Sequence, residues 1–264
     1  MSIIQAIILA IIEGITEFLP VSSTGHMIIG SSLMGIQSND FVKLYTVVIQ
    51  LGAILSVIVL YWKRFFQSLD FYFKLLVAFI PSVIAGLAFS DKIDELLESP
   101  QTVAIALVIG GVILLFIDKF FQHNTIKDTK NIGYKEAFFT GLFQCLAMIP
   151  GTSRSASTIV GGMTQKMTRT VAAEFSFFLA VPTMAGATAK KVYDFYKDGY
   201  VITGEEIKLL AIGNIVAFVV AMLAIKSFIT FLQKRGFQVF GWYRIVVGLV
   251  ILGFLLTGHD LKII

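Results

Sequence analysis

Apolar residues in this chain neither alternate nor recur with an amphipathic period over most of its length; they run on. Long apolar windows occupy roughly 42–62, 71–90, 102–121, 170–190, 207–232 and 240–258. Each approaches the ~20 residues that a helix needs to cross a bilayer, and together they predict six transmembrane helices.

Two further apolar stretches are interrupted. Residues 3–35 run helically to Phe18-Leu19, meet Pro20, pass through Ser22-Ser23-Thr24-Gly25-His26 and then turn apolar again. Residues 137–164 repeat the plan: an apolar run reaches Ile149, Pro150-Gly151-Thr152-Ser153-Arg154-Ser155 breaks it, and a shorter apolar piece follows. Proline removes a ladder donor and pushes the preceding residue out of the α region. Each stretch therefore reads as two half-helices meeting at a break. At membrane depth such a break is tolerated only inside protein or along a watery cavity, so re-entrant helical hairpins are expected.

A single constant offset superposes Pro20 on Pro150 and Ser23 on Ser153, and Leu44-Tyr45-Thr46-Val47-Val48 on Glu174-Phe175-Ser176-Phe177-Phe178. Each half then holds one hairpin and three spans. Three is odd, so the second hairpin enters from the opposite face. The expected fold is an all-α integral membrane protein: six transmembrane helices plus two re-entrant hairpins in an inverted-topology repeat. It forms a single membrane domain over 1–264, with halves of about 1–121 and 137–258. Such repeats place their binding site near the midplane, at the repeat interface.

Composition agrees with the pattern. Hydrophobic residues make up 56% and charged residues 14%, against about 25% charged in a soluble domain, and the mean hydropathy is +0.84. The net charge of +4 comes without a basic patch interleaved with aromatics, so it does not point to nucleic acid. It reads as loop charge that sets orientation. One side collects eleven basic residues: Lys63, Arg64, Lys74, Lys119, Lys127, Lys130, Lys135, Lys166, Arg169, Lys234 and Arg235. The other has seven lysines, diluted by Asp91, Asp94, Glu95, Glu98, Asp194, Asp198, Glu205 and Glu206. The positive-inside bias places both termini and the mouth of the first hairpin outside the cytoplasm. A lone Cys145 excludes an intrachain disulfide and a multi-thiolate metal site. The N-terminus is apolar at once, without a basic leader, and reads as part of the mature protein.

The candidate chemistry lies in the two breaks. Glu13 and Glu17 are four apart, on one helix face, in an otherwise apolar run. A charge at membrane depth costs at least about 2.5–3.5 kcal/mol, and such residues normally face a polar interior with a partner. Paired carboxylates suit a hard divalent cation, Mg²⁺ or Ca²⁺, which could bridge to phosphate oxygens. Ser22-Ser23-Thr24-Gly25-His26 opens a half-helix whose free N–H groups and dipole attract anions. His26 could accept a proton from a serine hydroxyl, attack phosphorus itself or protonate a leaving group; His123 and His259 fall in loops and need no role. Gly151-Thr152-Ser153-Arg154-Ser155 forms a matching anion cradle, with Arg154 offering a planar charged fork to phosphate oxygens. Ser155 and Ser157 read as packing or capping residues, and Gln144 could add a polar contact. No Walker, Rossmann or zinc-protease motif appears. Two cradles facing one point suit phosphoryl transfer, where catalysis is mostly positioning and charge stabilisation.

Glu13-Gly14-Ile15-Thr16-Glu17-Phe18-Leu19-Pro20-Val21-Ser22-Ser23-Thr24-Gly25-His26 and Pro150-Gly151-Thr152-Ser153-Arg154-Ser155 closely resemble the two signature motifs of the bacitracin-resistance-type undecaprenyl-diphosphate phosphatases of bacteria. The resemblance covers essentially the whole chain, including Val48-Ile49-Gln50-Leu51-Gly52 and Glu174-Phe175-Ser176-Phe177. It implies hydrolysis of undecaprenyl diphosphate to undecaprenyl phosphate and inorganic phosphate, which recycles the lipid carrier for peptidoglycan synthesis. It also implies divalent-metal dependence and an outward-opening site in the plasma membrane. By position, Glu13 and Glu17 match the family's acidic pair, Ser23 and His26 its proposed nucleophile and acid/base residues, and Arg154 its phosphate-binding arginine. Thr24 and Ser153 match supporting polar positions.

The expected mechanism has Glu13 and Glu17 holding the metal. Ser22, Thr24, Gly25, Gly151, Thr152, Ser153 and Arg154 cradle the phosphates. Ser23 attacks the terminal phosphorus with His26 as base, or His26 attacks directly. The rival class is a lipid flippase or transporter, because inverted repeats with broken helices are also a transporter architecture. Membrane lipid and the polyprenyl diphosphate are the expected partners, and monomer or homodimer stays open.

Overall fold

The computed structural model of the chain describes residues 1–65, 69–89, 92, 93, 96 and 99–256. Asp91, Asp94, Glu95, Glu98 and His259 lie outside the described residues. The helices are α1 (Ile3–Thr16), α2 (Ser23–Leu33), α3 (Asp40–Val48), α4 (Gln50–Leu60), the single turn α5 (Trp62–Phe65), α6 (Leu69–Ala88), α7 (Pro100–Phe120), α8 (Tyr134–Gln144), α9 (Arg154–Thr164), α10 (Arg169–Lys197), α11 (Gly204–Arg235) and α12 (Gln238–Leu256). Short 3₁₀ turns lie at Thr129–Asn131 and Cys145–Met148. There is no strand among the described residues; one isolated bridge joins Ile126 and Met167. Six stretches are long and apolar enough to cross a membrane: Asp40–Leu60 (α3 with α4), α6, α7, α10, α11 and α12. These are the six expected spans, and the chain is a multi-pass helical membrane protein.

The helices start where local chemistry satisfies their free N–H groups. Ser2 and Gln5 close a capping box on α1, Thr203 and Glu206 another on α11, and Ser99 caps α7 with Pro100 in its first turn. These side chains supply acceptors that the first helical turn lacks. The α3–α4 span bends at Ile49, and the Gly52 amide beyond the bend donates to Asn214 Oδ1 at 2.7 Å. Pro182, which the repeat offset pairs with Gly52, sits inside α10, where it removes a helical donor.

α1 packs on α2 and on α11; α8 packs on α9 and on α6. α7 lies along α12. A Cβ on Gly111 would meet the Gly241 carbonyl oxygen at 2.7 Å, and a Cβ on Gly241 would meet that of Gly111 at 2.8 Å. This contact is reciprocal and joins two residues that the repeat offset pairs, as a pseudo-two-fold would require. Across the breaks the register slips by one. The residue that caps α2 is Ser22 and the one that caps α9 is Ser153, with φ of 70° and 73°. The expected equivalence of Ser23 with Ser153 is therefore one residue out. Its cause is local: the second break spans one more residue between proline and cap, and it includes Gly151 at φ +87°, a left-handed conformation that favours glycine.

Candidate functional site

The break after α1 is anchored by Phe18, which is fully buried and meets Phe177 of α10 edge to face at 5.3 Å. This fixes the end of α1, from which Glu13 and Glu17 project inward at 1% and 7% exposure. The polar segment then turns at Ser22, whose hydroxyl accepts from the Gly25 amide at 3.4 Å, and α2 begins at Ser23. The second break uses the same device: Ser153 Oγ accepts from the Ala156 amide at 3.3 Å, and α9 begins at Arg154.

The first residues of the two half-helices meet at one carboxylate. Ser23 Oγ donates to Glu17 Oε2 at 2.6 Å, and Arg154 Nη2 donates to Glu17 Oε1 at 2.9 Å. The Arg154 guanidinium lies 5.7 Å from the Phe18 ring centroid. Its Nη1 donates to the Ser176 carbonyl at 3.0 Å and to Ser176 Oγ at 3.3 Å, while Ser176 Oγ and Thr158 Oγ1 share a 2.6 Å hydrogen bond. Ser176 thus orients the arginine. The sequence carried it only as one letter of a resembling segment.

Two polar groups in this cluster have no protein partner. Both carboxylate oxygens of Glu13 and the Nε of Arg154 are buried and unbonded. Glu13 and Glu17 stand one turn apart beside a single arginine, and the ion pair that it makes is with Glu17. Oxygen donors in that state fit a hard divalent cation. Among the described residues no third carboxylate, histidine or cysteine joins them. That accords with Mg²⁺-type sites, which use one or two carboxylates together with water and substrate phosphates.

His26 lies elsewhere in the cluster. Its Nδ1 is 2.7 Å from the Ser22 carbonyl and its Nε2 2.6 Å from the Tyr243 hydroxyl, and the His26 and Tyr243 rings stack at 5.5 Å. A carbonyl only accepts, so in the neutral ring Nδ1 carries the proton and Tyr243 donates to Nε2. No hydrogen bond joins His26 to Ser23. The serine's proton points at Glu17.

The remaining expected residues divide. Thr24 is exposed. Gly25 is buried, and a Cβ there would meet Leu107 Cδ1 at 3.3 Å. The carbonyls of Gly151 and Thr152 accept from Arg244, so this part of the second motif acts through its backbone. Ser155 donates to the Leu19 carbonyl at 2.7 Å, tying the two breaks together, and Ser157 donates to the Ser153 carbonyl at 3.0 Å. Gln144 is buried and donates to Ser82 at 2.5 Å and Thr183 at 3.1 Å, a polar contact between α8, α6 and α10. Tyr243 and Arg244 were missed. The available signal for Arg244 was the one that exposed Glu13: a charge inside an apolar window.

The family model of the bacitracin resistance protein BacA matches residues 6–250. The chain is 68% identical, over all of both sequences, to a Flavobacterium psychrophilum protein named undecaprenyl-diphosphatase. Proteins of the same name from Flavobacterium johnsoniae and Bdellovibrio bacteriovorus are 63% and 56% identical, again over the full length of each. With a family match over nearly all of its length and both motifs gathered at one buried carboxylate, the chain belongs to the BacA bacitracin-resistance family.

Proposed function

We propose that this protein hydrolyses undecaprenyl diphosphate to undecaprenyl phosphate and inorganic phosphate, recycling the lipid carrier for peptidoglycan synthesis. The observation that carries the reading is the convergence of Ser23 and Arg154 on Glu17. It puts a hydroxyl, its proton acceptor and a phosphate-binding cation in one buried place.

The hairpins enter the membrane from opposite faces, and the site opens outward from the plasma membrane. The diphosphate enters between the two half-helix starts. Arg154 binds phosphate oxygens with its free Nε–H and with the Nη2–H released as Glu17 turns to its role as base. The amides that open α2 and α9 add dipole and hydrogen-bond stabilisation. Ser23 Oγ attacks the terminal phosphorus while its proton passes to Glu17. The bond to the bridging oxygen breaks, and undecaprenyl phosphate leaves as an anion that needs no proton. Water then attacks the phosphoserine, the Ser23 Oγ–phosphorus bond breaks as Ser23 takes back the proton held on Glu17, and inorganic phosphate departs with one water proton while the other passes to solvent. Glu13 and Glu17 would hold a divalent metal, Mg²⁺ or Ca²⁺. When bound it supplies positive charge to the phosphate oxygens. Both nitrogens of His26 are engaged, which favours Ser23 over His26 as nucleophile. His26 and Tyr243 form one polar wall of the site.

The test is phosphate release from undecaprenyl diphosphate by purified full-length protein in detergent, followed by mapping of trapped phospho-enzyme. Release with label on Ser23 is expected. Label on His26 overturns the nucleophile assignment. Lipid flux across sealed vesicles with no phosphate released overturns the hydrolase reading in favour of a carrier.

A further inference from the structure

Arg244 is the largest fully buried side chain among the described residues. It stands in the second turn of α12, in an apolar stretch where an uncompensated guanidinium is costly. Among the described residues no carboxylate pairs with it. Its donors all end on backbone carbonyls: Nε on Leu107 at 3.3 Å, Nη1 on Pro20 at 3.2 Å and Thr152 at 3.0 Å, and Nη2 on Ala106 at 3.1 Å and Gly151 at 2.9 Å. A guanidinium has five N–H donors, and these bonds use every one. None is left for a substrate, so Arg244 is not a second phosphate ligand.

Its acceptors reveal what it does instead. Pro20 belongs to the first break, Gly151 and Thr152 to the second, and Ala106 and Leu107 to α7. One planar, rigid fork fixes the two breaks against each other and both against α7. Ser23 follows Pro20 by three residues and Arg154 follows Thr152 by two. The pseudo-two-fold supplies this fork once, because the position that the repeat offset pairs with Arg244 is Leu114.

We propose that Arg244 is a positioning residue for phosphate release. It holds the breaks at the separation at which Ser23 and Arg154 both reach Glu17, and lysine cannot take its place. This rests on the hydrolase reading above. Lysine offers three donors on a point charge in place of a five-donor fork, and a displacement of about 1 Å in a reacting group can cost on the order of 10²-fold in rate.

Two variants test it by independent routes. Arg244→Lys keeps the charge and loses the fork. Gly110→Ala keeps the arginine and moves it, since the three atoms nearest a Cβ at Gly110 all belong to Arg244, with Cζ at 2.8 Å; alanine is otherwise favoured over glycine in a helix. Gly253→Ala, with nothing within 4 Å of its new Cβ, is the control. Phosphate release from undecaprenyl diphosphate is measured on the folded fraction of each full-length protein from size exclusion. The expected result is a kcat at least about tenfold lower for Gly110→Ala and about a hundredfold lower for Arg244→Lys. KM should change less than about threefold in both, and the control should match wild type. Should Arg244→Lys not fold, Gly110→Ala carries the test alone. A kcat within threefold of wild type for Gly110→Ala or folded Arg244→Lys overturns the proposal, as does a loss confined to KM. A wild-type protein that releases no phosphate overturns the hydrolase reading itself, a result distinct from an active wild type with unimpaired variants.

Discussion

The two helix breaks share a backbone and differ in their chemistry. Both turn on a serine held near φ +70°, and in both that serine caps the next half-helix through the amide three residues on. A non-glycine residue in that region carries strain of order 1 kcal/mol, accepted twice at the same point of the fold. Beyond the caps the breaks diverge. In the second, the hydroxyls are spent within the protein: Ser155 bonds Leu19, Ser157 bonds Ser153, and Thr158 bonds Arg154 and Ser176. Ser155 and Arg154 reach across to the first break, and of the two only Arg154 meets a charged group. In the first, Ser23 reaches a carboxylate of its own hairpin, Thr24 is exposed and His26 sits at a half-open edge beside Tyr243. The second break is thus locked by hydrogen bonds to the protein, while the first leaves Thr24 exposed and His26 partly open. Density of Ser and Thr in a motif is therefore a poor guide to where chemistry happens.

The largest expected effect strikes the point where the two breaks meet. Glu17→Gln removes Ser23's proton acceptor and Arg154's counter-charge, and Arg154→Ala removes the cation. Each should lower kcat by about 10³-fold or more, and the double variant should be little worse than either single one, because the groups act as a unit. Costs that simply multiply would mean that the breaks work independently.

Next comes the backbone of the second break. Gly151→Ala would place an L side chain at φ +87° and drive its Cβ into the Val103 backbone. The expected loss is about 2–3 kcal/mol of stability, read as a lower melting temperature in detergent. An unshifted melting curve would show that this break is not held rigid.

Ser155→Ala should cost about 1–2 kcal/mol, since it strips the Leu19 carbonyl of its donor in a buried place. The corresponding change in the first break, Thr24→Ala, should alter stability by less than about 0.5 kcal/mol, because Thr24 is exposed. Equal losses at the two positions would erase the locked-versus-open distinction. With folding unaffected, any drop in phosphate release by Thr24→Ala reports contact with substrate.

Much of this molecule is legible in its sequence, and the reason is local. Sustained hydropathy marks a span wherever it occurs, prolines interrupt ladders wherever they occur, and charges stranded in apolar runs announce themselves. Six spans, two breaks and the set Glu13, Glu17, Ser23, His26 and Arg154 follow from such short-range signals. Partnership does not. The motif sets Ser23 nearer to His26 than to either glutamate, and only the structure shows that its hydroxyl bonds Glu17. Ser176 supports Arg154 from α10 with nothing in its own neighbourhood to mark it. Arg244 finds carbonyls 93 and 224 residues away, a relation that no window of sequence contains. The sequence by itself determined which groups are buried in the membrane and where the chain breaks. Only the tertiary structure decided which of them touch, because a buried polar group takes whichever partner the packing of distant helices brings within about 3 Å.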